Sequence, residues 1–175
     1  MVFLKTDRLV LRNVSSKDLQ TMFDYRNNEI CARYQRGQTK DREGIAKLLQ
    51  RRREDTLSLT ENCLIAVASK ETDELLGEIV LMPSENTFSL GYTFSYRHHG
   101  KGYAYEAVSA LMELLHIQYP DWEFICFTDP RNMPSRNLLL KLGYRDAGYL
   151  PARDSQVFTK WTTPQTDEEL AQIVE

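Results

Sequence analysis

No run of this 175-residue chain is long and apolar enough to form a membrane-spanning helix, so a helical membrane protein is not expected. Cysteine is scarce. Cys31, Cys63 and Cys126 form an odd, scattered set with no metal-ligand spacing, and two of them lie in apolar runs. Reduced, buried thiols are expected, and no metal centre. An excess of charge is missing as well: 22 Lys and Arg against 25 Asp and Glu leave a formal net charge of −3, which gives no basis for a nucleic-acid partner. Residues 1–8 lack the basic-then-apolar layout of a secretion signal, and with reduced thiols this points to a soluble, cytoplasmic protein. Repeats, low-complexity tracts and linkers are absent too, so one domain over residues 1–175 is expected. What the chain does have is 42% hydrophobic and 27% charged residues, the balance of a globular domain with a sizeable core.

The most informative stretch is Phe94-Ser-Tyr-Arg97-His98-His99-Gly100-Lys101-Gly102-Tyr103-Ala104. A β-prone, aromatic segment runs into a glycine-bearing loop that opens an amphipathic helix, with Ala104, Ala107, Val108, Leu111, Leu114 and Leu115 at helical spacing. Such a junction gathers unpaired backbone N–H groups at the positive end of a helix, a place for a phosphate or pyrophosphate. A magnesium-nucleotide loop needs two glycines further apart and a following Lys-Ser/Thr; here one residue separates them and Tyr103 follows. A dinucleotide fingerprint needs a third glycine where Tyr105 stands. The pattern Arg/Gln-x-x-Gly-x-Gly/Ala is met by Arg97, Gly100 and Gly102. A plain strand-to-helix turn made tight by glycine is the other reading of the same residues.

Periodicity and turn residues predict strands over 8–12, 63–68, 75–82, 87–94, 124–128, 144–150 and 156–161. Helices are predicted from a cap at Ser15 or Ser16 through about Tyr25, over 41–54, after Gly102, and over 132–142 with Gly143 closing the last. A four-residue turn is predicted at 83–86, and Thr166 through Glu169 reads as a capping box opening a short terminal helix over about 166–174. The three strands from 63 to 94, joined by short polar connectors, suggest an antiparallel meander.

This element order, the loop, and two further segments resemble the GCN5-related N-acetyltransferase (GNAT) superfamily. Asn132-Met-Pro-Ser135 through Lys141, Gly143 and Tyr144 is similar to a segment of its RimJ/RimL-like, ribosomal-protein-acetylating branch. Thr6-Asp-Arg-Leu-Val-Leu-Arg12 is similar to that branch's opening strand, and Gly91-Tyr92 through Gly102-Tyr103-Ala104, Glu106 and Ala107 to its middle. The resemblance implies an α/β (α+β) acyl-CoA N-acyltransferase fold, with a mixed, largely antiparallel sheet flanked by helices. It implies acetyl-CoA as co-substrate and an amine-bearing acceptor, either a protein N-terminus or a small molecule, and it leaves a homodimer open. It also implies that the strand over 87–94 bends away from the strand over 124–128. The backbone of Tyr92, Thr93 and Phe94 would then receive the pantetheine arm. Arg97, His98, His99, Gly100, Lys101, Gly102, Tyr103 and Ala104 would surround the pyrophosphate, and Asn132 and Ser135 would lie near the thioester.

The implied reaction is direct attack of a neutral amine on the thioester in a ternary complex. It needs a proton acceptor, an oxyanion donor and help for the departing thiolate. Many family members carry a tyrosine where this chain has Leu139, which cannot donate a proton. Ser135 is the candidate for bonding the sulfur, and a backbone N–H near Thr93 and Phe94 is the candidate for the oxyanion. Glu78 is the candidate base, with solvent exposure as its alternative. Lys47, Arg51, Arg52 and Arg53 make a basic cluster that is either a solvated helix face or a lure for an acidic acceptor. A catalytically weak acyl-CoA sensor of the same fold is the competing function.

Overall fold

The computed structural model describes all 175 residues. Eight strands form one sheet: β1 (Val2–Lys5), β2 (Leu9–Asn13), β3 (Cys63–Ser69), β4 (Leu75–Ser84), β5 (Thr87–Phe94), β6 (Glu123–Thr128), β7 (Arg145–Leu150) and β8 (Ser155–Lys160). Their spatial order is β1-β2-β3-β4-β5-β6-β8-β7, and every neighbouring pair is antiparallel except β5 with β6. Helices α1 (Leu19–Arg26), α2 (Glu29–Ala32), α3 (Arg42–Arg52), α4 (Tyr103–Gln118), α5 (Met133–Lys141) and α6 (Pro164–Ala171) complete the chain.

The apolar runs sort the helices onto the two faces of the sheet. β3 is buried on both sides: Cys63, Ile65 and Val67 join α4 in one core, while Leu64 and Ala66 join α1 and α3 in the other. Period-two alternation makes that division inevitable once both faces are covered. On β5, Phe88, Leu90 and Phe94 point into the α4 core. All three cysteines are free and buried.

Several predicted boundaries move. The extra strand β1, which the sequence analysis leaves unassigned, pairs along β2. Residues 16–18 form a single 3-10 turn before α1, and the short α2 is held by Asn28, whose side chain accepts from Ile30 N and Cys31 N. Pro83 continues β4 opposite Phe88, so the turn tightens to Glu85 and Asn86, at φ +44° and +65°. A two-residue hairpin with both residues left-handed matches the twist of the strands it joins. The terminal helix begins earlier than predicted. Thr163 is its cap, accepting from Thr166 N, because the Thr166 hydroxyl is committed to the Glu123 carboxylate at 2.7 and 2.9 Å.

Candidate active site

β5 and β6 pair only at Thr87↔Glu123 and Phe88↔Phe124, then diverge. The closed end is fixed by aromatic packing, with Phe88 stacked on Trp122 at 4.5 Å and tilted against Phe124 at 5.4 Å. Beyond it lies a cavity of about 320 Å³ whose walls include Leu90, Tyr92, Cys126, Thr128, Ser135 and Leu139. Ser95 N donates to Leu76 O, so the backbone groups of Ser95 and, two residues back, Thr93 point toward β4. By the same alternation those of Tyr92 and Phe94 face the gap. Tyr92 O accepts from Gln35 Nε2 at 3.3 Å, and Phe94 O accepts from His99 Nε2 at 2.8 Å and Cys31 Sγ at 3.3 Å. Since a carbonyl can only accept, the His99 ring carries its proton on Nε2.

Thr93 therefore parts from its two strand neighbours. Its backbone bonds within the sheet, and its Oγ1 accepts from Gln38 Nε2 at 3.2 Å on the opposite sheet face. The expectation had all three residues turn their backbone to the gap; strand geometry turns Tyr92 and Phe94 there and Thr93 to β4.

The glycine loop leads from Phe94 into α4. Gly100 and Gly102 sit at φ +75° and +79°, left-handed values that glycine adopts without steric cost. Gly102 is the N-cap of the 16-residue α4 and supplies no capping side chain. α2, α3, α5 and α6 are capped by Asn28, Asp41, Asn132 and Thr163. The first-turn N–H groups at Tyr103 and Ala104 are thus presented outward beside an open loop. A Cβ at Gly100 would meet no atom within 4 Å, so the loop is open at that position.

Arg8, which sequence reasoning missed as a site residue, anchors this loop. Its Nη1 donates to Lys101 O at 2.9 Å, its Nε to Glu106 at 2.6 Å, and its guanidinium lies 4.5 Å over the Tyr103 ring. Glu106 also accepts from Arg8 N and from Thr6 Oγ1. Burial pushes the Glu106 carboxyl up, but the hydrogen bonds from Thr6 and Arg8 outweigh it and hold the group below its ordinary range. The only local signal was the Thr6-Asp-Arg8 opening. Its partner lies across the sequence.

Of the other loop residues, Arg97 is paired with Asp24 at 3.3 Å and leans on the Tyr96 ring. His98 packs against Tyr103; burial lowers its basicity, despite Glu74 at 4.0 Å, so the ring is neutral at pH 7. Asn132 caps α5 by accepting from Ser135 N, and Leu139 lines the cavity one turn further on.

Ser135 Oγ lies 2.8 Å from the hydroxyl of Tyr92. Burial raises the Tyr92 phenol well above its ordinary value, while the bond to Ser135 pulls the other way. Sequence reasoning valued Tyr92 for its backbone; the side chain's meeting with α5 was not visible in it. Beside this pair, Cys126 Sγ donates to Tyr144 OH at 3.4 Å, and burial raises its thiol too.

Glu78 lies on the other face of the sheet, buried and closed in. Arg26 pairs with it through both carboxylate oxygens, the Tyr25 hydroxyl donates to Oε2, and Gln38 Nε2 donates to Oε1 at 3.3 Å. Burial first, and then the Glu78 charge, raise the Tyr25 phenol far above its usual value. The alternative that Glu78 faces solvent is excluded by its 1% exposure. Its oxygens are engaged on both sides, so it holds a wall in place. A second cavity of about 400 Å³ opens in front of it, lined also by Gln38, Arg51 and Arg52 and meeting the first along Gly91 and Tyr92. No helix of the protein is long and apolar enough to cross a membrane.

Comparison with known proteins bears on this geometry. A family model described as an acetyltransferase (GNAT) domain matches residues 8–145. An uncharacterized N-acetyltransferase of Bacillus subtilis, YnaD, is 26% identical over 148 residues, covering 83% of this chain and 84% of its own. Among solved structures, a GNAT-family acetyltransferase from Bacillus anthracis superposes with a TM-score of 0.76 at 22% identity, over 91% of this chain and 96% of its own. RimL, described as a ribosomal L7/L12 α-N-protein acetyltransferase in complex with coenzyme A, superposes with a TM-score of 0.74 at 13% identity, over 91% and 97%. At these identities the structural likeness speaks to the fold.

Proposed function

The chain belongs to the GNAT acetyltransferase family, an acetyl-CoA-dependent family, and from that premise we propose that it moves an acetyl group to a primary amine by direct attack in a ternary complex. The observation that carries this reading is the gap between β5 and β6, walled by the Tyr92–Ser135 hydroxyl pair, on a strand that leads through the glycine loop into the bare N-terminus of α4. In this reading the loop at Gly100, Lys101 and Gly102 and the first turn of α4 hold the pyrophosphate through backbone N–H groups. The pantetheine amides bond to Tyr92 and Phe94 as an added strand would. Gln35 gives up the Tyr92 carbonyl when the arm enters.

The amine nitrogen forms a bond to the acetyl carbon, the carbon–sulfur bond breaks to release the thiolate, and the nitrogen loses its proton to solvent water. Charge develops first on the acetyl oxygen, toward which a gap-facing backbone N–H of β5 is directed, and then on sulfur. Magnitudes decide what the hydroxyl pair contributes. A free thiol has a pKa of about 8.5 and a phenol of about 10, and burial raises the Tyr92 phenol further. Full proton transfer from Tyr92 to the thiolate is therefore uphill. Ser135 stabilises the thiolate by a charge-assisted hydrogen bond, and Tyr92 donates to Ser135 Oγ so that the serine proton points at sulfur. Glu78, tied to Arg26, shapes the acceptor wall instead of taking the amine's proton.

Thiol release from acetyl-CoA across a panel of amines and N-terminal peptides, with coenzyme A affinity measured in parallel, tests this. Amine-dependent release is the expected result. Tight coenzyme A binding that no amine converts into thiol release would replace the enzyme by an acyl-CoA-binding sensor.

A further inference from the structure

The second cavity carries information about the acceptor, and the inference rests on the transferase reading above. α3 divides the basic cluster noted in the sequence. Lys47 is exposed and paired with Glu43 at 2.7 Å, and Arg53 with Glu54 at 3.4 Å. Arg51 and Arg52 instead line the cavity. There Arg26 is neutralised by Glu78 and Arg52 leans on Asp55 at 3.6 Å. Arg51 has no carboxylate partner. Glu78 is the one acidic residue of the lining, and it is already matched, so the cavity presents an uncompensated guanidinium.

A second observation is independent of that charge. Gln38 Nε2 donates to Glu78 Oε1 and to Thr93 Oγ1. A carboxylate only accepts, which fixes the orientation of the amide and turns Gln38 Oε1 the other way. That oxygen is buried without any donor. An unsatisfied buried acceptor costs about 1–3 kcal/mol, and the group that relieves it must bring an N–H. Gln38 bonds Thr93, the strand neighbour of Tyr92, so this acceptor lies next to the point where the two cavities meet.

We propose that the cavity takes acceptors in which the reactive amine and a carboxylate belong to the same small unit. The amine N–H bonds Gln38 Oε1 and the carboxylate pairs with Arg51. An acidic amino acid and an acidic peptide N-terminus both offer this chemistry. Polyamines and aminoglycosides bring further cations to a wall that already holds an unmatched one.

The experiment is steady-state thiol release by the full-length protein with acetyl-CoA, comparing glutamate and aspartate, peptides with Asp or Glu after the first residue, the same peptides with Lys there, and spermidine. The acidic acceptors are expected to exceed their cationic counterparts in kcat/KM by about tenfold or more, the advantage shrinking with added salt. Arg51→Glu is expected to raise KM for them by about tenfold, a surface substitution that leaves the sheet untouched. Gln38→Met is expected to lower kcat/KM for every acceptor. Turnover of the free amino acids marks a small-molecule acceptor, and turnover of peptides alone marks a protein N-terminus. Preference for the cationic acceptors, no turnover of any acidic one, or an unchanged KM in Arg51→Glu overturns the inference while coenzyme A binding stands. Failure to bind coenzyme A overturns the donor reading instead.

Discussion

Replacing Tyr92 by phenylalanine removes one oxygen from a packed site and leaves Ser135 Oγ without the partner it holds at 2.8 Å. The cost to folding is that of one neutral hydrogen bond, about 0.5–1.5 kcal/mol. The cost to catalysis is indirect, because Tyr92 orients the serine that meets the sulfur. A hydrogen bond to a charged group is worth about 1.5–3 kcal/mol, so Ser135→Ala should lower kcat by about 10- to 150-fold. Tyr92→Phe, which leaves the serine in place but free to turn, should lower it by about tenfold. KM for acetyl-CoA should change little in either variant, since the arm is held by backbone. A structural role alone would not move the thiol pKa of bound coenzyme A, so that quantity is the second readout. Followed by ultraviolet thiolate absorbance, it should rise by about one unit in Tyr92→Phe, one unit being worth about 1.36 kcal/mol. An unchanged kcat together with an unchanged bound-thiol pKa would refute the hydroxyl-pair mechanism.

Gly100→Asp should leave the fold nearly intact, because aspartate tolerates left-handed backbone better than most residues and the Cβ enters open space. A carboxylate beside a pyrophosphate costs about 4 kcal/mol per charge pair at close range, so coenzyme A affinity should fall by about two to three orders of magnitude in calorimetry; retained affinity sinks the loop assignment. Arg26→Ala strands a buried carboxylate and should cost about 3–5 kcal/mol in urea unfolding, while Arg26→Leu combined with Glu78→Leu should cost much less. A loss in the single variant no larger than that of the double would show that the pair is not buried as described. The pH dependence follows from the acceptor. An α-amino group has a pKa of about 7.7–8.0, so kcat/KM should rise about tenfold per pH unit below it and level off above. Burial keeps Tyr92 protonated through that range, so no alkaline fall should follow from it. A plateau reached already near pH 6, or a bell, would instead reveal an enzyme base.

What could be read in the chain before folding was what is local. The glycines at positions 100 and 102, the helical spacing after them and the close of the helix at Gly143 are each decided within one turn of chain, and each lies where its residue type demands. The contacts that give the site its character are separated by long stretches: Tyr92 from Ser135, Arg26 from Glu78, Arg8 from Glu106. No period or spacing encodes such meetings. Capping shows the same limit on a small scale. The sequence reads Thr166 as the cap, and Thr163 takes that place because Glu123, on a strand far back in the chain, holds the Thr166 hydroxyl.

Strand parity also explains why one short segment can serve two substrates. On β5 the even-numbered side chains face α4 and α5, so Tyr92 reaches Ser135, and the odd-numbered ones face α1 and α3, so Thr93 reaches Gln38. The backbone alternates as well, within the plane of the sheet, which turns Tyr92 and Phe94 to the gap and Thr93 to β4. Gly77 lets β4 lie close enough to enforce this register: a Cβ there would stand 2.6 Å from Thr93 O and 2.7 Å from the Phe94 ring. A slip of one residue would exchange the two faces and direct Thr93 at the donor side and Tyr92 at the acceptor side. In the proposed function, the separation of acetyl donor from amine acceptor is thus a property of a single strand's register. The two cavities meet at Tyr92, on the stretch of β5 beyond Phe88 where the strand has lost β6 on one edge and keeps β4 on the other.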